Sequence, residues 1–119
     1  MSEEAVDVSS LLALRQLQRP DRPDAVARII SRFLEESDER LVALGDAAQH
    51  DDAPGLERAA HALKGIAGTV GANEILHLAM RLEQIGREGH TAGATGLVSD
   101  LQVAFARARP IFDRLRGAA

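Results

Sequence analysis

The sequence predicts an all-α protein: an antiparallel up-down-up-down four-helix bundle with a short N-terminal helix before it. Apolar residues recur at alternating spacings of three and four through most of the 119 residues, which is the period of one buried helix face. No segment alternates apolar and polar residues as a half-buried strand would. The connections between the periodic segments are short, and short connections favour antiparallel neighbours in a bundle.

We predict a single domain over residues 1–119, with a short helix and linker at 1–20 and the bundle at 24–117. Apolar residues stand at helical spacing between Val8 and Gln18, and a serine near the start is a possible cap. The following RPDRPD interrupts this helix, because a proline disfavours helical conformation in the residue before it. The N-terminal helix is therefore expected to close one end of the bundle core.

Four longer helices follow, and each has its own signals. The first is predicted from about Asp24 to Gln49, and the second, Asp52 to Gly71, opens with an aspartate cap and a proline. The third begins with Asn73 as a possible cap and gives way to a loose, glycine-rich loop from Gly86 to Gly96. The last carries apolar residues from Leu97 to Leu115 and contains Pro110, which we expect to kink or restart it.

Composition excludes several functional classes. The net charge is −4, and without a basic block, Trp or Tyr there is no surface suited to nucleic acid. The absence of cysteine excludes disulfides and thiol chemistry and is compatible with the cytoplasm. The N-terminus is acidic where a signal peptide is basic, and no apolar run approaches the ~20 residues of a membrane span. We therefore expect a cytoplasmic protein whose three phenylalanines belong to the core.

The second helix has one unusual face. At ~100° per residue, its apolar stripe is centred on Leu63, and His61 lies roughly 160° away, facing water. Lys64, Gly65 and Gly68 follow His61 within two turns. Each glycine inside a helix costs about 0.5–1 kcal/mol relative to alanine, and on an outer face no core packing offsets that cost. We interpret the glycines as leaving room for another molecule to approach the imidazole.

Plainer interpretations of the same residues exist. A single surface histidine is usually only solvated, a lysine three residues later is usually a solvated flank, and glycine also favours helix C-termini. The residues by themselves therefore indicate only that a partner docks on this face.

The segment AHALKGIAGTVGA resembles the signature of the histidine-containing phosphotransfer (HPt) domain family: His, any residue, Leu, Lys, Gly and further small residues. The resemblance extends over roughly Ala25 to Leu115, through FLEESDERLVAL upstream and LAMRLEQIGREG downstream. It implies that His61 is the phospho-acceptor and that Lys64 interacts with the phosphoryl group. It also implies that Gly65 and Gly68 admit a receiver domain.

Three further points complete the comparison with the family pattern. Leu63 and Gly71 match its structural positions. Ile66 departs from it, since the family more often has Ser or another small residue there, and we expect this to alter packing more than transfer. Glu57 and Arg58, one turn before His61, are predicted to contribute to partner binding together with Lys64.

The chemistry available to His61 agrees with this resemblance. A neutral imidazole can take a phosphoryl group from an acyl phosphate and give it to another carboxylate, and Lys64 can compensate the charge of about −2 that results. The spacing pairs no second carboxylate and no metal cluster with His61, and no nucleotide-binding glycine loop follows a strand. The other histidines, His50, His77 and His90, are interpreted as solvated surface. We therefore predict a phosphoryl carrier without cofactor or metal, not an enzyme with its own ATP-binding or hydrolytic site.

The predicted function is that of a phosphorelay intermediate. His61 would accept a phosphoryl group from a receiver-domain aspartate or a sensor histidine kinase and pass it to a response-regulator aspartate. One alternative is a helical binding module that docks a partner at the Gly65/Gly68 face without phosphoryl transfer. Another is a hydrolase with His61 as general base, which would need an orienting carboxylate and a nucleophile. We expect a monomer, because the four apolar stripes can cover one another, and neither nucleic acid nor membrane as a partner.

Overall fold

The computed structural model describes Val6, Asp7, Ser9 and residues 25–117, and within these residues it contains four helices and no strand. They are α1 (Ala25–Gln49), α2 (Ala53–Thr69), α3 (Asn73–Arg87) and α4 (Ala94–Gly117). The all-α prediction and the four-helix count are confirmed. The predicted N-terminal helix, Val8 to Gln18, falls almost entirely outside the described residues.

Each helix packs against the helices before and after it, and α1 also packs against α4, which closes the bundle. The core is the apolar stripe of every helix turned inward. The three phenylalanines join α1 to α4, with Phe33 5.1 Å from Phe112 and 6.1 Å from Phe105 between ring centroids. Their prediction as core residues is confirmed. The largest fully buried apolar side chains are Phe112, Ile30, Leu44, Leu56, Leu63, Ile75, Leu82, Leu101 and Val70.

The start of α2 follows the predicted signal. The Asp52 side chain accepts a hydrogen bond from the Gly55 backbone N–H at 3.0 Å, and Pro54 stands in the first turn, where a missing N–H costs nothing. The helix ends before Gly71, whose φ of +72° is a left-handed conformation that favours glycine. Gly71 also accepts a hydrogen bond from the Asp7 backbone N–H at 2.7 Å, so Asp7 docks on this turn.

Two predicted boundaries of α3 are wrong. Ala72, not Asn73, is the residue that precedes the helix, and no side chain caps it. The glycine-rich loop does not begin at Gly86, because Gly86 is buried inside α3. A side chain there would meet the backbone of α2, so the glycine serves close helix packing and not flexibility. Gly96 likewise belongs to α4, which leaves 88–93 as the connection.

The last helix continues through Pro110 as one element from Ala94 to Gly117. Pro110 was expected to kink the helix or to restart it, and no restart occurs. Pro110 is exposed, and its neighbours Ala108 and Phe112 remain in the core.

Candidate functional site

The outer face of α2 presents His61 to solvent, as its position on the helix predicts. Its side chain is 68% exposed. The opposite face of the helix is in the core, where Leu63 is fully buried, and Ile66 lies at the edge of the core, partly buried. The residues of α2 that are buried are Ala53, Leu56, Ala59, Ala60, Leu63 and Ala67.

A carboxylate from the neighbouring helix holds the His61 ring. Glu83 on α3 lies with its Oε2 2.5 Å from His61 Nδ1, although the two residues are 22 positions apart in the chain. The Glu83 side chain is only 6% exposed, so the contact has the exposed ring on one side and the protein interior on the other. The prediction that no second carboxylate pairs with His61 is wrong.

This contact decides which ring nitrogen is available for chemistry. An ionised carboxylate can only accept, so Nδ1 carries the proton and donates it to Glu83. Nε2 of the neutral ring then holds a free lone pair. Nε2 makes no hydrogen bond with the described part of the chain, and the side chain that carries it is mostly exposed. Nε2 is therefore the nucleophilic nitrogen, and the contact of Glu83 with Nδ1 fixes the orientation of the ring.

Two cations surround the same carboxylate. Lys64 Nζ lies 2.6 Å from Glu83 Oε1, and the Arg87 guanidinium lies 3.3 Å from Oε2. The Lys64 hydrogen bond is the largest of the effects that lower the pKa of Glu83, and it opposes burial, which would raise that pKa. Hydrogen bonding from His61 lowers the pKa further. Glu83 is therefore an anion at neutral pH, with hydrogen bonds from His61 and Lys64 and an ion pair with Arg87.

The predicted docking residues surround His61 in different ways. An added Cβ at Gly65 or Gly68 would meet no atom within 4 Å, so the space beside the ring is open. Arg58 is exposed and makes no ion pair with the described residues. Glu57 lies 3.4 Å from the Arg87 side chain, which reduces its freedom to meet a partner. A shallow depression beside the ring is lined by Glu57, Arg58, His61, Glu83 and Arg87.

Glu83 and Arg87 are the two site residues that the sequence analysis did not identify. One signal for Glu83 was present in the sequence. Glu83 stands four residues after buried Ala79 and three before buried Gly86, which places a charged group in the apolar register of α3. A carboxylate at such a position needs a partner, because burying an unpaired charge is costly. The sequence alone does not say which helix supplies it.

The remaining histidines lie elsewhere on the surface. His50 Nδ1 is 2.8 Å from the Asp46 carbonyl oxygen, and His90 Nε2 is 3.2 Å from Glu88. His77 is exposed on α3, as its helical position predicts. Among the described residues, no three His, Cys, Asp or Glu side chains are grouped so as to hold a metal ion. None of the described helices combines the length and apolarity that crossing a membrane requires.

Comparisons with known proteins agree on one family. The family model of the Hpt domain matches residues 28–116. Among solved structures, the chain is similar to the crystal structure of histidine-containing phosphotransfer protein B from Pseudomonas aeruginosa PAO1. The TM-score is 0.89 and the sequence identity is 28%, with 99% of each chain covered. A comparison with curated protein sequences found no match.

Proposed function

This chain belongs to the family of histidine-containing phosphotransfer (Hpt) domains, and on that premise we propose that His61 is the residue that carries the phosphoryl group. The function of the chain is histidine phosphotransfer in a two-component phosphorelay, and its family consists of phosphoryl carriers and not of conventional enzymes. Members of the family interact with receiver domains and kinases. The single observation that most supports His61 is the Glu83 contact at Nδ1, which leaves Nε2 of this exposed side chain without a hydrogen-bond partner among the described residues.

The proposed transfer is a displacement at phosphorus. The Nε2 lone pair of His61 attacks the phosphorus atom of an aspartyl phosphate, and the P–O bond to the aspartate breaks. Its electron pair stays on the departing carboxylate. In the onward step a receiver aspartate attacks the same phosphorus, the N–P bond breaks, and its electron pair returns to Nε2. Glu83 contributes by holding the ring in the productive tautomer and orientation through both steps.

Lys64 is the proposed counter-charge for the phosphoryl group. Its side chain is one-third exposed, and its ammonium group already lies at the site, beside the carboxylate oxygen of Glu83 that does not contact His61. A phosphoryl group brings about two negative charges, so a flexible ammonium group beside it lowers the electrostatic cost of accepting it.

The docking surface for the partner is proposed to be the outer face of α2. Gly65 and Gly68 leave that face without side chains, so a receiver can bring its aspartate to within bonding distance of Nε2. Exposed Arg58 is proposed to contact the partner at the edge of this surface. Glu57 is proposed to contact the partner as part of its ion pair with Arg87.

Several finer points complete the proposal. The chain acts as a single domain over residues 1–119 and as a monomer in the cytoplasm, and it has no ATP-binding or hydrolytic site of its own. The sensor kinase or the receiver supplies the remaining catalytic groups. The outer face of α2 supports this proposal, because the exposed His61 ring there lies beside Lys64 and next to the open space at Gly65 and Gly68.

The test is transfer from a phosphorylated receiver domain of the same genome. The parent protein is expected to take up label that is labile in acid and stable in base, as expected for phosphohistidine. His61→Gln should take up none, while His77→Gln, which alters an exposed histidine of α3, should label like the parent. Label that survives in His61→Gln would overturn the proposal. A receiver that binds the parent without transferring label would identify a binding module instead.

A further inference from the structure

Glu83 places a negative charge beside a histidine that is proposed to accept a phosphoryl group. Its carboxylate contacts Nδ1 of the His61 ring and is nearly buried. It is an anion at a site that must accept further negative charge. Both of its oxygens are occupied: Oε1 by Lys64, and Oε2 by His61 and Arg87. The cations available to a phosphoryl group are therefore already paired with another anion.

Phosphorylation changes the charges in this group. When Nε2 forms its bond to phosphorus and Nδ1 keeps its proton, the ring becomes a cation and the phosphoryl group carries about two negative charges. The ring cation faces Glu83 and is stabilised by it, while the two negative charges lie beyond Nε2 and need cations of their own. Lys64 and Arg87 can turn toward the phosphoryl group only by weakening their contacts with Glu83.

The same carboxylate also favours departure of the phosphoryl group. An anion that accepts from Nδ1–H keeps the proton on the ring. The group that leaves when the N–P bond breaks is then a neutral imidazole and not an imidazolate. A neutral leaving group departs more readily, so the N–P bond is more reactive.

We infer that the negative charge of Glu83 makes the N–P bond of phosphorylated His61 more reactive, so that the phosphoryl group is passed on and not retained. This inference rests on the proposed function, because it concerns the phosphorylated form of His61. It assigns Glu83 two separable effects. Its hydrogen bond positions the ring, and its charge speeds the breaking of the N–P bond by keeping the ring protonated at Nδ1.

The two effects are separated by two substitutions at one position. Glu83→Gln keeps an oxygen that can accept from Nδ1–H but removes the charge. Glu83→Asp keeps the charge but shortens the side chain and disturbs the contact. The matched control is Glu88→Gln, the same change at an exposed position beyond the end of α3, where the carboxylate contacts Gln84 and His90.

The experiment uses phosphoramidate, a small-molecule donor, so that no partner needs to be known. Nε2 attacks its phosphorus and ammonia leaves. After removal of the donor, the half-life of phosphohistidine is followed by phosphorus NMR or by loss of label. Glu83→Gln is expected to lengthen this half-life about three- to tenfold. Glu83→Asp is expected to label more slowly and then to lose label at nearly the parental rate, and Glu88→Gln to behave as the parent.

The outcomes are distinguishable from those that test His61. If the parent is not labelled, or if His61→Gln is labelled, the proposed function itself fails. If the parent is labelled at His61 and folded Glu83→Gln loses label as fast as the parent or faster, the inference about the charge is overturned. Equal lengthening in Glu83→Gln and Glu83→Asp would also overturn it, because both variants would then act through geometry. Circular dichroism establishes that each variant is folded.

Discussion

Among single residues, Gly68 leaves the face of α2 that bears His61 without a side chain two turns after the histidine. It lies inside the helix, and an added Cβ would meet no neighbouring atom within 4 Å. The glycine therefore has no packing role within the described structure, while it carries the conformational cost of glycine in a helix. Stability and access should respond differently to a side chain at this position.

We expect Gly68→Ala to raise the free energy of unfolding by about 0.5–1 kcal/mol, because alanine favours the helix and meets no clash. Gly68→Gln should fold but transfer phosphoryl groups more slowly, because its side chain occupies the approach. Urea denaturation and the rate of transfer from a phosphorylated receiver measure the two effects. Gly45→Gln, at an equally uncrowded glycine of α1, is the control and should transfer normally. Parental transfer by Gly68→Gln would contradict the access argument.

The Glu83 side chain also makes stability depend on pH. Its pKa is lowered in the folded protein, so its contribution is fully present above the ordinary value of about 4.5 and is lost as the pH falls through the folded pKa. The parent should therefore lose stability more steeply than Glu83→Gln below about pH 4.5. Urea denaturation at a series of pH values measures this. Glu39→Gln, on the exposed side of α1, controls for removal of a carboxyl; equal slopes in the parent and Glu83→Gln would refute the linkage.

At the scale of helices, Gly86 allows the backbones of α2 and α3 to approach each other closely. An ideal Cβ on Gly86 would lie 2.7 Å from the Glu57 backbone nitrogen and 2.8 Å from the Ala53 carbonyl oxygen. Both atoms belong to the backbone of α2 and cannot move without the helix. Glu83 stands one turn earlier on α3, so the same approach brings its carboxylate to His61.

Gly86→Ala is therefore expected to lower the free energy of unfolding by about 1–3 kcal/mol, despite the better helix propensity of alanine. It should also slow labelling of His61, because it moves Glu83 away from the ring. Urea denaturation and labelling by phosphoramidate measure the two effects. Gly45→Ala, in the interior of α1, should instead be stabilising. A stabilised Gly86→Ala would show that the helices do not depend on this close contact.

At the scale of the whole molecule, the beginning of the described chain completes the bundle at the turn between α2 and α3. Val6 is 7% exposed and belongs to the core, and the Asp7 backbone N–H donates to the Gly71 carbonyl oxygen. Gly71 can have no side chain here, because its φ is positive and the Asp7 carbonyl lies against it. Residues far apart in the chain are thus joined at one end of the structure.

We expect Val6→Ala to lower the free energy of unfolding by about 1–2 kcal/mol, through lost burial and the cavity that remains. Chemical denaturation measures the change. Val42→Ala is the matched control, since Val42 is 65% exposed and its truncation should change stability little. If the two variants were equally stable, docking of the N-terminal residues would contribute nothing to the fold.

The sequence by itself determined the helices and the face of each that meets water. The bounds of the first two helices differ from the predicted ones by at most two residues, and His61 is exposed on the face opposite Leu63. Both were predictable because helical periodicity relates residues that are only a few positions apart. The failures at Asn73 and Gly86 are of another kind. In the sequence, a residue that caps a helix cannot be distinguished from the first residue of that helix. A loop glycine likewise cannot be distinguished from a glycine packed against a neighbouring helix.

Only the tertiary structure decided that Glu83 holds His61. The carboxylate is on another helix, and its distance from the imidazole depends on how α2 and α3 cross and how closely Gly86 lets them approach. Crossing and separation result from side chains of both helices packing together, which the periodicity of either helix alone does not contain. The exposed histidine is thus a local property of α2, while the shared carboxylate behind it is a property of the assembled bundle.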